Sequence, residues 1–218
     1  MLDAWPSRLR FAGMPEVVQL SDHSRAVDLA SEVLEGGGTV LLPTDTLYGV
    51  AALPGLPGAT ARLFELKDRA AGQPLAVLLA DDDQLRALVE PDALTPQVLG
   101  WVARFWPGPL TLVMPRAERA RSLDLGGAAG TIGVRCPDHR FARDLARRVG
   151  PIATTSANRH GEATPRTAIE AAASLAGRVD LVVDGGPAGT VASTVVDVTV
   201  DPWRLLRVGA VTDAMLGG

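Results

Sequence analysis

The chain of 218 residues carries 47% hydrophobic side chains and a formal net charge of -4, enough apolar material for one full core and no general basic character. That balance weighs against a protein whose whole surface grips nucleic acid, and the single cysteine, Cys136, excludes a disulfide framework or a thiolate metal site. His23, His139 and His160 lack ligand spacing, Met1 to Glu16 has no apolar signal core, and no apolar run reaches the ~18 residues of a membrane span, so a cytoplasmic protein is expected.

The first clear helical pattern runs from Ser21 to Gly38, with Ala26, Ala30, Val33 and Leu34 on one face, Ser21 or Asp22 as cap, and Gly36-Gly37-Gly38 as the stop. Thr39 to Leu42 then reads as a buried strand that Pro43 ends. Thr44, Asp45 and Thr46 follow, where an open α/β sheet places its ligands, before the apolar run Tyr48 to Leu53. A turn that satisfies its own backbone is the competing reading of those hydroxyls.

Gly58 to Arg69 repeats the helical pattern and finishes in Lys67-Asp68-Arg69. Lys67 is the only lysine among 21 Lys and Arg residues combined. It is either a cation complementing the helix dipole or an ammonium retained for an anion, with Arg69 beside it and Ala70 to Pro74 as a pliant loop. Leu75 to Leu79 is the next strand, Asp81 caps a helix through Leu88, and Thr95-Pro96 opens another through Phe105, stopped by Trp106-Pro107-Gly108-Pro109. Leu110 to Met114 is a strand, and Pro115 to Gly130, with Arg116, Arg119 and Arg121, reads as a surface loop or lid.

Thr131 to Arg135 is a strand ending in a cation, which is costly to bury without an anion. Arg135 is thus a fork for a carboxylate or phosphate, or half of a structural ion pair with a nearby Asp. Cys136 reads as a small packing residue, and the helix from Asp138 to Val149 exposes Arg140, Arg143, Arg147 and Arg148. Ile152 to Asn158 ends in hydroxyls and an amide, and a helix opening at Thr167 offers an N-terminus to oxyanions. Strands at Asp180 to Asp184, Ser193 to Thr199 and Trp203 to Val208 complete the chain. Strands alternating with helices predict an α/β fold, a single domain with an open twisted mixed β-sheet and flanking helices. Neither a Walker loop nor a nucleophile elbow is present, so the polar strand ends with Lys67, Arg69 and Arg135 describe an anion pocket that works by positioning.

Several fragments carry a resemblance: Pro43-Thr44-Asp45-Thr46-Leu47-Tyr48-Gly49, Lys67-x-Arg69 before Pro74-Leu75, Trp106 to Thr111, Val134 to Pro137, Thr155-Ser156-Ala157-Asn158, Asp184-Gly185-Gly186 and Ser193 to Asp197. In this order over roughly residues 20–210 they resemble the L-threonylcarbamoyladenylate synthases, the YrdC-like domain family. The resemblance implies a nucleotidyltransferase in single-domain form, with an N-terminal extension over 1–19, a catalytic domain over 20–210 and a tail over 211–218. It would make threonylcarbamoyl-AMP and pyrophosphate from L-threonine, bicarbonate and ATP, for the threonylcarbamoyladenosine modification of tRNA.

It also implies that Thr44, Arg135 and Thr154 hold threonine, and that Arg69, Thr131, Ser156, Thr164 and Arg207 hold ATP. On the same resemblance Lys67 and Arg69 would be the catalytic cations, and Asp45, Tyr48, Gln73, Asn158 and Ser193 would take supporting roles. Mg²⁺ would arrive on the nucleotide, with no metal cage in the protein. Downstream tRNA threonylcarbamoyl-transfer proteins are the expected partners, with tRNA itself bound weakly or indirectly and no membrane involved. Gln73 and Leu78 depart from the Asn and His of longer relatives, and Arg159-His160-Gly161 from the more usual Leu-Ser-Gly. The alternatives are an RNA-binding module of this fold and a domain that handles carbamoyl-adenylate.

Overall fold

The computed structural model of the protein describes residues 15–67, 74–127, 129–158 and 164–217. In chain order the elements are β1 (Glu16–Gln19), α1 (His23–Glu35), β2 (Val40–Leu42), β3 (Gly49–Ala52), α2 (Ala61–Lys67), β4 (Ala76–Leu78), α3 (Asp82–Leu88), α4 (Pro96–Phe105) and β5 (Leu110–Pro115). They continue with β6 (Thr131–Arg135), α5 (Arg140–Val149), β7 (Ile152–Ser156), α6 (Ala168–Ala173), β8 (Leu181–Asp184), β9 (Thr194–Asp197), β10 (Arg204–Arg207) and α7 (Asp213–Leu216). The capping signals act as the sequence predicts. Asp22 accepts from the Arg25 amide at the start of α1, and Thr95 from the Val98 amide ahead of Pro96 at the start of α4.

The strands form one sheet in the order β1-β8-β2-β3-β7-β4-β6-β5-β9-β10. It is mixed, as expected: β1/β8, β2/β8, β4/β6 and β5/β9 pair parallel, and β2/β3, β3/β7, β4/β7, β5/β6 and β9/β10 antiparallel. One expectation needs correction. The N-terminal extension contributes β1, which pairs with β8 and buries Val18, so its last residues belong to the sheet. Thr44 to Thr46 lie, as expected, past the carboxyl end of a strand, in the hairpin-type connection from β2 to its antiparallel neighbour β3.

Register assigns every strand residue to a face, because directly paired residues point the same way. On one face stand Leu41, Val50, Ala153, Val77, Val134, Ile132, Leu112 and Val196, packed against apolar residues of α2, α3, α4 and α6. The other face is divided. Around β1, β8, β2 and β3, its residues Val18, Leu181, Val183, Val40, Leu42 and Ala51 sit under Leu29, Ala30 and Leu34 of α1 and Phe141 and Leu145 of α5. Leu78 and Ile152 close this second core.

Beyond them the same face has no helix over it among the described residues. Gly49 pairs with Ser156, Ala51 with Thr154, Ala76 with Thr154 and Gly133, Leu78 with Arg135, Val113 with Gly133 and Pro115 with Thr131. Thr111 pairs with Val195, and Val195 with Arg207. Thr154, Ser156, Thr131, Gly133, Arg135, Thr111 and Arg207 therefore share one polar surface. The alternation confirms it: in β5 and β6, Val113, Thr131 and Gly133 are half-buried while Met114, Ile132 and Val134 are buried.

The segment after β5, expected as a loop or lid, is packed down. Buried Arg116 donates through Nε to the Ala120 carbonyl (2.9 Å) and through Nη2 to that of Leu123, and Ala117, Ala120 and Leu125 are buried. Burial pushes the Arg116 guanidinium below its ordinary value. Arg116 is a strut that satisfies carbonyls, which composition alone cannot distinguish from a mobile cation.

Candidate active site

Arg135 ends β6 with only 6% of its surface exposed. Its Nε donates to the Gly108 carbonyl (3.0 Å), Nη1 to Thr46 Oγ1 (2.8 Å) and Nη2 to Asp45 Oδ1 (2.6 Å). The ion-pair reading is thus realised, with the guanidinium held on all three nitrogens. Burial pushes it below its ordinary value, and the Asp45 charge pulls it back up. The Gly108 carbonyl can reach it because residue 108 carries no side chain: a Cβ there would lie 2.4 Å from the Phe105 carbonyl oxygen.

The Thr44 hydroxyl is committed to its own loop. It accepts from the Thr46 and Leu47 amides (3.2 Å each) and donates to the Leu47 carbonyl (2.7 Å), so the turn reading of this residue holds in the structure. Tyr48 is a buried tie. Its hydroxyl donates to the Gly186 carbonyl (2.7 Å) and accepts from the Gly185 amide (3.1 Å), locking this loop to the one after β8, and burial raises its pKa. Thr154 lies on the helix-free half-face, buried, and donates to the Val50 carbonyl (3.2 Å); a Cβ on Gly49 would meet its Oγ1 at 2.9 Å, so glycine there makes room for the hydroxyl.

Lys67 ends α2 with 8% exposure and donates through Nζ to the Ser156 carbonyl (2.6 Å). It therefore reaches across to the end of β7, where Ser156 and Asn158 are half-buried. Arg69 and Gln73 lie outside the described residues. Thr164 is half-buried in the approach to α6. The helix end itself is taken: Glu170 accepts from the Arg166 (2.8 Å) and Thr167 (3.2 Å) amides, and those bonds hold its carboxyl below the ordinary value. The expectation of a helix N-terminus open to oxyanions is overturned by this capping box.

Arg207 donates through Nε to the Ser193 carbonyl (3.0 Å) and through Nη2 to Ser193 Oγ (2.9 Å), which in turn lies 2.9 Å from Thr111 Oγ1. Ser193 and Thr111 are both buried. Desolvation first, and the positive charge of Arg135 second, push the Arg207 guanidinium below its ordinary value. Among the described residues no carboxylate pairs with Arg207, which is exposed on the edge strand, while Asp45 is already paired with Arg135. That surplus of positive charge suits an anion. Sequence reasoning missed Thr111 as part of the site. Its signal was a hydroxyl inside the apolar run Leu110 to Met114.

Leu78, one of the departures noted in the sequence, shares a face with Arg135, its partner across β4 and β6, but is buried in the second core under α5. Cys136 is excluded as a nucleophile. It is buried, its Sγ donates to the Ala80 carbonyl (3.5 Å), and desolvation pushes the thiol up to about 11. Among the described residues no group of three or more His, Cys, Asp or Glu side chains is arranged to hold a metal. Nor is any helix among them long and apolar enough to cross a membrane.

Fold and site together define an α/β sheet protein with hydroxyls and guanidiniums gathered on a half-face that no described helix covers. Residues 32–209 match the Sua5_yciO_yrdC family, described as telomere recombination, and the chain belongs to it. It is 38% identical over 196 residues to the threonylcarbamoyl-AMP synthase of Bacillus subtilis, covering 89% of this chain and 56% of that one. The threonylcarbamoyl-AMP synthase of Homo sapiens is 37% identical over 188 residues, 81% of this chain and 64% of its own length. A crystal structure of Pyrococcus abyssi Sua5 complexed with L-threonine superposes with a TM-score of 0.81 at 35% identity, covering 91% of this chain and 58% of that one. The chain thus spans little more than half the length of these relatives.

Proposed function

We propose that the chain forms L-threonylcarbamoyladenylate and pyrophosphate from L-threonine, bicarbonate and ATP, and so supplies the threonylcarbamoyladenosine modification of tRNA. The observation that carries this reading is the placement of Thr154, Ser156, Thr131, Arg135 and Arg207 on one half-face of the sheet that no described helix covers. A relative crystallised with L-threonine supports the amino-acid half of it.

The chemistry requires no protein nucleophile. The amine of threonine adds to the carbon of bicarbonate, which loses water to leave a carbamate. A carbamate oxygen then attacks the α-phosphorus of ATP and pyrophosphate departs. Arg135 with Thr154 would orient threonine, while Arg207, Ser156, Thr131, Thr164 and Arg69 would hold the nucleotide. Lys67 and Arg69 would offset charge that grows on the phosphates as the bond to pyrophosphate breaks. Mg²⁺ would travel on the triphosphate, and no step here depends on it. The product would pass to tRNA threonylcarbamoyl-transfer proteins in the cytoplasm.

The test is pyrophosphate release from purified protein given ATP, Mg²⁺, L-threonine and bicarbonate without tRNA. Release should require both threonine and bicarbonate. Release that persists when either is omitted would contradict the synthase reading, and retention of RNA with no release would favour a binding module.

A further inference from the structure

The grip on Arg135 is uneven in a way that bears on which amino acids the site accepts. The Gly108 carbonyl and the Thr46 hydroxyl hold Nε and Nη1, and both belong to the framework of their loops. Nη2 is held by Asp45, a carboxylate with 14% of its side chain exposed, against 7% for Arg135. Asp45 is thus the partner that chemically resembles an incoming substrate carboxylate. Asp45, Thr46 and Gly108 all border a cavity of about 310 Å³, which Pro107, Pro109 and Asp138 help to close. Arg135 itself does not line it. A ligand approaching the fork from that cavity therefore meets Asp45, with Thr46 and Gly108, before Arg135.

We propose that Asp45 is the residue that makes this site select a zwitterionic α-amino acid over a plain carboxylate; the proposal rests on the threonine reading above. A carboxylate that reaches the Arg135 fork must displace Asp45 from Nη2 or lie beside it. Either way two negative groups crowd one guanidinium, and in a poorly hydrated site that repulsion is large. An ammonium on the carbon next to the substrate carboxylate removes the penalty, because it can lie against Asp45 while the carboxylate takes the fork. The pair Arg135 and Asp45 is then a dipole complementary to the amino acid, and the internal ion pair is exchanged for two intermolecular ones. Arg135 keeps its orientation throughout, since the bonds from Nε and Nη1 do not involve Asp45. A desamino acid gains only one new pair and leaves Asp45 without its partner, which disfavours it.

The test is calorimetric titration of L-threonine and of 3-hydroxybutyrate with the same C3 configuration into wild type and Asp45→Asn. Wild type should bind threonine and strongly disfavour 3-hydroxybutyrate. Asp45→Asn should weaken threonine by about tenfold to a hundredfold, the loss of one sheltered charge pair. The same variant should bind 3-hydroxybutyrate as well as wild type or better, because the competing charge has gone. Equal losses for both ligands would make Asp45 a mere prop for Arg135, and threonine affinity within twofold of wild type would remove it from recognition; either overturns the proposal. Should Asp45→Asn not fold, wild type still decides. It should bind L-threoninol and 3-hydroxybutyrate each far more weakly than threonine, and parity of 3-hydroxybutyrate with threonine refutes the role of Asp45. Wild type that binds none of these ligands would instead sink the threonine reading itself.

Discussion

The two halves of one sheet face make the most instructive comparison in this molecule. Both obey the same strand period, and both are reached by alternate residues of neighbouring strands. Under α1 and α5 those residues are Val40, Leu42, Ala51, Leu181 and Val183, all buried. Where no described helix lies over the face they become Thr154, Ser156, Thr131, Gly133, Thr111 and Arg207. Composition follows the covering. A helix contributes apolar surface and is met by aliphatic side chains, whereas hydroxyls and guanidiniums are the side chains that the oxygens of the proposed ligands would require. Leu78 and Arg135, paired across β4 and β6 on this same face, mark the frontier between the halves.

Substitutions on either side of that frontier should therefore fail in different ways. The largest effect is expected at Arg135. Removing one partner of a buried, hydrogen-bonded charge pair costs about 2–5 kcal/mol, so Arg135→Ala should weaken threonine by roughly thirtyfold to several thousandfold. Arg135→Lys should not rescue it, because a single ammonium cannot serve Gly108, Thr46, Asp45 and a substrate together. Calorimetry of both ligands checks this, and equal losses for ATP and threonine would reduce Arg135 to a structural ion pair.

Lys67→Ala should slow turnover on the order of a hundredfold while changing threonine affinity little, since a cation at the phosphates acts as charge develops. Steady-state kinetics beside threonine titration reads it out. Near-normal turnover would return Lys67 to capping its helix and bridging to the Ser156 carbonyl. The smallest effect on ligands belongs to the covered half. Leu145→Ala removes a buried α5 side chain from the second core and should cost about 2–5 kcal/mol of stability, with kcat/KM within twofold below the melting range. A large kinetic defect in a folded Leu145→Ala protein would mean the two halves are not separable.

Much of this was legible in the sequence, and what was not has physical causes. Helix starts at Asp22, Asp81, Thr95 and Thr167 are local signals, and each is a cap in the structure. Strands β6 and β7 announced themselves as apolar runs closing on Arg135 and on Thr154 to Ser156. The division of the face was not legible, because it depends on register between strands remote in sequence, as β2 beside β8 or β5 beside β9. The partner of Arg135 was foreseen as an Asp, but 25 acidic residues gave no way to choose Asp45, which lies 90 positions away. Strand β1 escaped notice because only Val18 of its residues is buried. The helix starts at Asp81 and Thr167 were read correctly, yet at the second the capping Glu170 takes the helix end that had been offered to an oxyanion.

The helix-free half-face as the proposed ligand floor is tested most directly at Gly133. It lies between Thr131 and Arg135 on that face, and a Cβ added there would have only Ala76 Cα and Thr111 Cγ2 nearby, each at a comfortable 3.9 Å. Gly133→Leu should therefore fold, with little change in melting temperature, and fill the floor with a side chain. Calorimetric titration of the variant should show ATP and threonine binding both reduced at least about a hundredfold, as expected when ligand and side chain compete for one space. Binding of both ligands at wild-type affinity by a normally folded Gly133→Leu protein would contradict the account.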